Sequence, residues 1–275
     1  MEKRPVAYQI YSARDEAAAD LKGVLCQLKE MGYDGVEFAG FYGHSAEDVK
    51  AMLDEIGLTA ISSHVALNLI REDPFGVISY HKTIGCSYIA VPYTGDADRP
   101  GGPNFGKTLN EIRNFAELCK KAGIQLLYHN HDFEFVTISG QFGLDFIYDV
   151  VGEDYLQTEL DMCWVKYAGQ NPAEYVKKYA GRCPVVHLKD YVGVKSGDKN
   201  PYALIGDESS EEKQDTTAFE FRPVGYGCQN VPEVVESAIA CGAKWFVVEQ
   251  DQSPTRPPLE AAKMSIETLV KIGLK

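Results

Sequence analysis

The chain has 275 residues, 45% hydrophobic and 24% charged, a composition that excludes collagen-like, disulfide-dense and largely disordered classes. Its 27 basic and 40 acidic residues leave a formal net charge of −13, which repels a phosphate backbone at long range and argues against a general nucleic-acid binder. Met1-Glu-Lys-Arg-Pro has no apolar run behind it, no stretch of about 18 apolar residues occurs, and the cysteines are scattered without a C-x-x-C. These features predict a reduced, cytoplasmic protein without a membrane span.

Short β-branched and aromatic runs alternate with longer amphipathic stretches. The spacing predicts strands at 6–10, 34–39, 59–65, 87–92, 124–131, 157–162, 184–190 and 245–251. Helices are predicted at 15–31, 45–56, 73–84, 106–122, 143–151, 171–180, 231–241 and 258–273. Met31-Gly32, Ile56-Gly57, Ile84-Gly85, Ala122-Gly123 and Cys241-Gly242 supply helix stops. Strict βα alternation implies a parallel sheet, and a count of eight favours closure into a single (β/α)8 TIM barrel over an open doubly wound sheet. Neither a G-x-G-x-x-G after the first strand nor a P-loop is present to support a nucleotide fold. Residues 1–275 are expected to form one barrel domain.

Two connections after strands are long, 93–105 and 191–229, and in a barrel both rise from the C-terminal face, where active sites of this fold lie. The acidic run at 206–215 within the second is read as a solvated lid surface rather than a metal site.

Ionisable residues gather at the C-terminal ends of successive strands: His129-Asn-His131-Asp-Phe-Glu134, Glu159-Leu-Asp161, His187-Leu-Lys189-Asp190 and Glu249-Gln-Asp251. Period-two alternation puts His187 and Lys189 on one face with Val185, and Glu249 and Asp251 on one face with Val247. One imidazole and three carboxylates make a hard, oxygen-rich site suited to Mn²⁺, Mg²⁺ or Co²⁺, with Glu134, Asp161, His187 and Glu249 chosen as ligands.

The segments YHNHDFEF at 128–135, LDMCWVKYAGQNP at 160–172, HLKD at 187–190, FRPVGYG at 221–227 and VVEQDQS at 247–253 resemble the xylose-isomerase-like barrel superfamily of sugar isomerases and epimerases, also grouped with endonuclease-IV-like proteins. The likeness spans essentially the whole chain. It implies that Glu134, Asp161, His187 and Glu249 hold one divalent metal, Mn²⁺ first among the choices, with the two glutamates flanking the substrate carbon. The H-N-H-x-x-E-F pattern implies that His131 acts on substrate, and Trp164 stands where many relatives have histidine. A homodimer or larger assembly is a further expectation from the resemblance.

On that reading a sugar carbonyl and its neighbouring hydroxyl bind the ion, which stabilises the enediolate formed when the α-proton leaves. Glu249 and His131 are expected to carry the acid/base roles, with Glu134 sharing them. Lys189 and Arg222 are candidates for holding substrate oxygens, His64 and Glu37 for lining the mouth, and Trp164 for an apolar wall. Each has a plainer alternative. His64 and Glu37 also fit as buried polar partners, Arg222 as a loop pin, Lys189 as a Schiff-base residue, and His129 as structural. Asp190 and Asp251 are expected to orient His187 or Lys189, while His44 and His81 read as surface or helix residues. The competing functions are a lyase or dehydratase acting on a keto-sugar or inosose, an abasic-site endonuclease, and a non-catalytic sugar-binding barrel.

Overall fold

The computed structural model describes residues 1–193 and 219–275; the acidic run at 206–215, and most of the 191–229 connection, lie outside the described residues. Eight parallel strands form the barrel: β1 (Val6–Gln9), β2 (Gly35–Phe38), β3 (Thr59–Ser63), β4 (Tyr88–Val91), β5 (Gln125–His129), β8 (Leu156–Asp161), β9 (Val185–Leu188) and β12 (Trp245–Val248). Between β5 and β8 a small antiparallel hairpin, β6 (Thr137–Ile138) and β7 (Gln141–Phe142), stands outside the barrel. The barrel order is β3-β2-β1-β12-β9-β8-β5-β4, and a bridge between His64 and Ala90, with Val65 N–H donating to Ala90 at 3.0 Å, links the outer two. The fold is a (β/α)8 TIM barrel. All eight predicted strands are present, seven of them shorter than predicted and β8 displaced by one residue toward the N-terminus.

Helices α1 (Arg14–Met31), α2 (Ala46–Ile56), α4 (Pro74–Thr83), α5 (Phe105–Ala122), α6 (Gly143–Val151), α8 (Pro172–Lys178), α9 (Val231–Ala240) and α10 (Pro258–Lys271) occupy the predicted segments. Gly32, Gly57 and Gly123 end α1, α2 and α5 in the left-handed conformation that glycine adopts without steric cost. Sequence periodicity does not reveal two six-residue helices, α3 (Leu67–Glu72) and α7 (Met162–Tyr167), which are too short to show a period. Among the described residues no helix is long and apolar enough to cross a membrane.

The barrel interior is layered. Ala7, Ile61, Ala90, Leu127, Val185 and Val247 fill its lower part as one buried apolar cluster. Side chains on a strand return to the same face every second residue, so the next inward positions are Gln9 above Ala7, His129 above Leu127, His187 above Val185 and Glu249 above Val247. All four are buried. The polar layer is therefore the apolar core continued one step up each strand.

Two further strands, β10 (Asp190–Val192) and β11 (Glu220–Arg222), pair antiparallel and bring the ends of the long connection together. Asp190 secures the return. Its carboxylate accepts the N–H groups of Tyr191, Gly225, Gly227 and Gln229 at 2.9–3.0 Å, so it organises this loop instead of orienting His187 or Lys189. Gly227 lies so close that an added Cβ would stand 2.2 Å from an Asp190 oxygen. Asp190→Ala orphans four backbone donors and is expected to lower unfolding stability by about 3 kcal/mol or more, read from urea denaturation; a loss near zero would show that the loop is held by other contacts.

Candidate metal and active site

β-strand alternation explains why the ionisable side chains converge, and strand register explains which of them meet. β5 pairs with β8 so that His129 is opposite Glu159, and β8 pairs with β9 so that Asp161 is opposite His187. On β3 the register slips between Val36/Ala60 and Glu37/Ser62, leaving one residue unpaired. Such a bulge re-aims the side chains beyond it. His64, just past β3, ends with its Nε2 at 3.0 Å from Glu37 Oε1 and 2.8 Å from Glu159 Oε2.

Three overlapping ligand-spaced groups result among the described residues, and all include His187. One comprises His129, Asp161, His187 and Glu249, a second Glu37, His64, Glu159 and His187, and the third His64, His129 and His187. Within each group the donor atoms lie within 4.8 Å of one another. His187 approaches Glu249 Oε2 through Nδ1 at 2.9 Å and Glu37 Oε1 through Nε2 at 2.7 Å. His129 Nε2 stands 3.4 Å from Asp161 Oδ2 and 3.7 Å from Glu249 Oε2.

Asp161 divides its two oxygens between fold and site. Oδ1 caps α7 by accepting the N–H groups of Cys163 at 2.7 Å and Trp164 at 3.2 Å, which turns Oδ2 into the cluster. Asn130 fixes the backbone here, its Oδ1 accepting the Asp161 N–H at 3.0 Å. Lys189 extends its ammonium among three carboxylates, 2.8 Å from Glu249, 3.1 Å from Asp161 and 3.1 Å from Asp251.

Burial opposes ionisation of every carboxyl in the cluster, and the neighbours decide the outcome. Against it, the His64 and His187 imidazoles hold Glu37 well below the usual carboxylate range. Lys189 with His129 and His187 holds Glu249 low in the same way, and Lys189 with His129 holds Asp161 low. For Glu159 burial prevails, reinforced by the negative charge of Glu37, and its value rises. Burial likewise pushes Asp251 up to about 7. The carboxylates of Glu37 and Glu159 overcome burial to lift His64 to about 10, whereas burial together with His129 and Lys189 drives His131 well below its ordinary value. His131 is therefore neutral at pH 7 and His64 charged.

Four buried atoms of these groups lack an aligned hydrogen-bond partner among the described residues: Glu37 Oε2, His129 Nε2, Asp161 Oδ2 and His187 Nε2. The Lys189 contact to Asp161 Oδ2 is ionic without hydrogen-bond alignment. Leaving such atoms unsatisfied costs about 1–3 kcal/mol each, and a cation held by imidazole nitrogens and carboxylate oxygens removes that cost. The donor set thus fits a divalent metal ion.

Above the cluster opens a cavity of about 730 Å³, lined by His64, His129, His131, Lys189, Glu249 and Asp251 on its polar side and by Ala39, Ala66, Leu69 and Pro92 on its apolar side. His131 stacks on Phe133 with ring centroids 5.3 Å apart and meets Tyr93 edge-on.

Other expected site residues fall elsewhere. Glu134 joins none of the ligand-spaced groups: it lies beyond the strand end, where the chain turns into a single 3-10 turn, and its carboxylate accepts the His131 N–H at 2.8 Å and the Tyr128 hydroxyl at 2.9 Å. Its place is behind His131, holding the loop that presents the imidazole. Trp164 is fully buried, 5.2 Å from the His131 ring and 5.5 Å from the Lys189 ammonium, and supports both from below without lining the cavity. Glu37 is buried and does not line the cavity either. Arg222 pairs with Glu220 on β11. His81 is buried in α4, with Nδ1 2.6 Å from the Val77 carbonyl. Sequence reasoning passes over His129 and Glu159. The alternation that selects His187 and Glu249 selects His129 too, two residues after Leu127, and Glu159, two residues before Asp161.

Residues 25–272 match the family described as xylose isomerase-like TIM barrel. No curated protein matches the sequence. Among solved structures, a sugar phosphate isomerase/epimerase from Parabacteroides distasonis superposes with a TM-score of 0.72 at 22% identity, over 98% of this chain and 94% of that one. The probable 3-DHS dehydratase AsbF from Bacillus anthracis gives 0.72 at 12% identity, over 97% and 98%. A xylose isomerase-like TIM barrel protein from Mycobacterium smegmatis, in complex with magnesium, gives 0.69 at 16% identity, over 100% and 99%. At these identities the structural likeness is one of fold.

Burial raises the Glu134 carboxyl from 4.5 to about 7, against the His131 N–H and the Tyr128 hydroxyl that favour its charge. The folded chain then binds this proton more tightly than the unfolded one, so the stability it contributes is complete below the unfolded value and is lost as pH rises through the folded value. Glu134→Gln is expected to lose less thermal stability than the unaltered protein between about pH 5 and about pH 8; identical slopes would place the carboxyl's titration outside that window.

Proposed function

Because this chain belongs to the xylose isomerase-like TIM barrel family, we propose that it is a divalent-metal-dependent isomerase or epimerase of a sugar or sugar derivative, acting by proton abstraction beside a carbonyl. The observation that carries this reading is the group formed by His129, Asp161, His187 and Glu249, whose donor atoms converge beside a cavity that also presents a neutral imidazole and an ammonium. The names of the neighbours, an isomerase/epimerase and a probable dehydratase, are consistent with chemistry at such a site.

His129, Asp161, His187 and Glu249 would hold the ion, His129 taking the place expected of Glu134. Two imidazole nitrogens and two carboxylate oxygens suit Mn²⁺, Co²⁺ or Zn²⁺. When bound, the ion supplies Lewis acidity toward a carbonyl and its adjacent hydroxyl.

The remaining work falls to side chains. His131, kept neutral by burial and by its cationic neighbours, accepts the α-proton at an imidazole nitrogen. Glu134 positions that imidazole through the backbone N–H of the same residue. Lys189 stands where negative charge grows on the substrate oxygen, and its ammonium is already oriented by three carboxylates, so little reorganisation accompanies the step. Asp251, which lines the same cavity and whose carboxyl burial raises to about 7, returns a proton to the carbon. Return to the other face gives epimerisation, return to the neighbouring carbon gives aldose–ketose isomerisation, and loss of a β-substituent gives a lyase. The lyase is the second reading, favoured by the dehydratase-named neighbour.

Metal-loaded protein in D₂O is expected to place deuterium on one substrate carbon, seen by NMR or mass spectrometry, with product mass unchanged apart from the label. Release of water from the substrate would move the assignment to the lyase, and no exchange across a broad panel of ketoses, aldoses and cyclic ketones would refute both. Asp161→Ala or His187→Ala should abolish metal occupancy measured by elemental analysis. His131→Ala should keep the metal and lose about 100-fold or more in turnover; loss of metal in that variant would make His131 a ligand.

A further inference from the structure

Lys189 shares carboxylate oxygens with the group that would hold the ion. Its ammonium is 3.1 Å from Asp161 Oδ2 and 2.8 Å from Glu249 Oε2, and His129 Nε2 faces the same two oxygens at 3.4 and 3.7 Å. Asp161 leaves no choice of atom, because Oδ1 is spent on the α7 backbone and Oδ2 has no aligned hydrogen bond among the described residues. A carboxylate oxygen ligates an ion such as Zn²⁺ at about 2.0–2.2 Å. An ion on Asp161 Oδ2 therefore stands no farther than about 5 Å from the ammonium, on whichever side of that oxygen it lies. Lys189 and Asp161 are both buried, so little water screens one positive charge from the other.

The ammonium is also held in place. Its aligned hydrogen bond goes to Asp251 Oδ2 at 3.1 Å, whereas its contact to Asp161 is ionic without that alignment. The Trp164 and Phe221 rings lie 5.5 and 5.6 Å from the nitrogen, within the distance at which a ring face attracts a cation. Phe221 is brought there by the β10–β11 pairing, which sets it opposite Tyr191, and Trp164 by α7, the helix that Asp161 caps. An exposed lysine swings away from an arriving cation at little cost. Lys189 is anchored by Asp251 and two aromatic rings, and its stem is buried with it.

Resting on the metal centre proposed above, we propose that Lys189 is a fixed counter-cation of that centre. It competes with the ion for Asp161 and Glu249 and repels it once bound, so the ion is held loosely and exchanges with the medium. Asp251, Trp164 and Phe221 are positioning residues for this effect. One buried ammonium thus stabilises the carboxylate layer and limits the affinity of the ion the layer receives.

The test is the dissociation constant of Mn²⁺, read from the electron paramagnetic resonance signal of the free ion as it is titrated with full-length protein, with no substrate and no turnover. Lys189→Met removes the charge and keeps an apolar stem against Trp164 and Phe221. Lys189→Gln removes the charge and keeps a donor for Asp251, and it carries the test if circular dichroism shows the Met variant unfolded. Lys189→Arg keeps the charge. The two neutral variants are expected to bind Mn²⁺ about tenfold or more tightly than the unaltered protein, and the Arg variant within about threefold of it. Damage to the architecture of the site weakens binding, so a merely structural role for Lys189 does not produce the gain. A folded neutral variant that binds Mn²⁺ no more tightly than the unaltered protein overturns the inference, and so does an Arg variant that gains as much as the neutral ones. The two readings fail separately: unaltered protein that binds Mn²⁺, with no gain in the neutral variants, keeps the metal centre and overturns the role of Lys189 alone. Mn²⁺ left free by the unaltered protein and by every variant overturns both.

Discussion

Five carboxylates, those of Glu37, Glu159, Asp161, Glu249 and Asp251, are buried at the top of the barrel, and the surrounding structure is arranged to neutralise them. In a medium of low polarity an uncompensated carboxylate is expensive, and like charges placed together are more so. Lys189 is fully buried among three of them, His64 is held as an imidazolium between Glu37 and Glu159, and His187 lies between Glu37 and Glu249. These contacts still leave buried donor atoms without aligned partners. A barrel whose role was only structural would continue its apolar core upward, as it does below with Ala7, Ile61, Leu127, Val185 and Val247. The acidic layer is a cost to stability that a bound cation converts into a site.

The same constraint explains the division of labour around the cavity. Asp161 commits one oxygen to capping α7, so the helix start and the orientation of the cluster are set by a single side chain. Asp190 does corresponding work for the loop after β11, accepting three backbone N–H groups there and a fourth from Tyr191 on its own strand. Glu134 fixes His131 from behind, and Trp164 with Phe221 provides an aromatic floor under Lys189. Burial and positively charged neighbours keep His131 neutral, while negatively charged ones keep His64 protonated. Two histidines of the same cavity therefore hold opposite protonation states.

The barrel is legible in the sequence because eight β-branched runs, eight amphipathic stretches and several glycine stops repeat one unit. His187 and Glu249 are legible for a related reason, since strand alternation continues into them from Val185 and Val247. His129 obeys the same alternation, but beside a conspicuous His131 and Glu134 it reads as structural. Glu134 falls after the strand has ended, where no period reports direction, and only the 3-10 turn shows that its carboxylate folds back onto the His131 amide. The β3 bulge that turns His64 inward depends on register between two strands, which no single segment reports. The short α3 and α7 escape notice because one and a half turns of helix carry too little periodicity to distinguish them from a loop.

If the paired imidazoles and carboxylates at the strand ends form the metal centre, anomalous diffraction from crystals soaked in Mn²⁺ tests this most directly. One strong peak is expected, bounded by His129, Asp161, His187 and Glu249, with Glu134 still bound to the His131 amide. A peak beside Glu134, or no peak within the cluster at saturating ion, would contradict it.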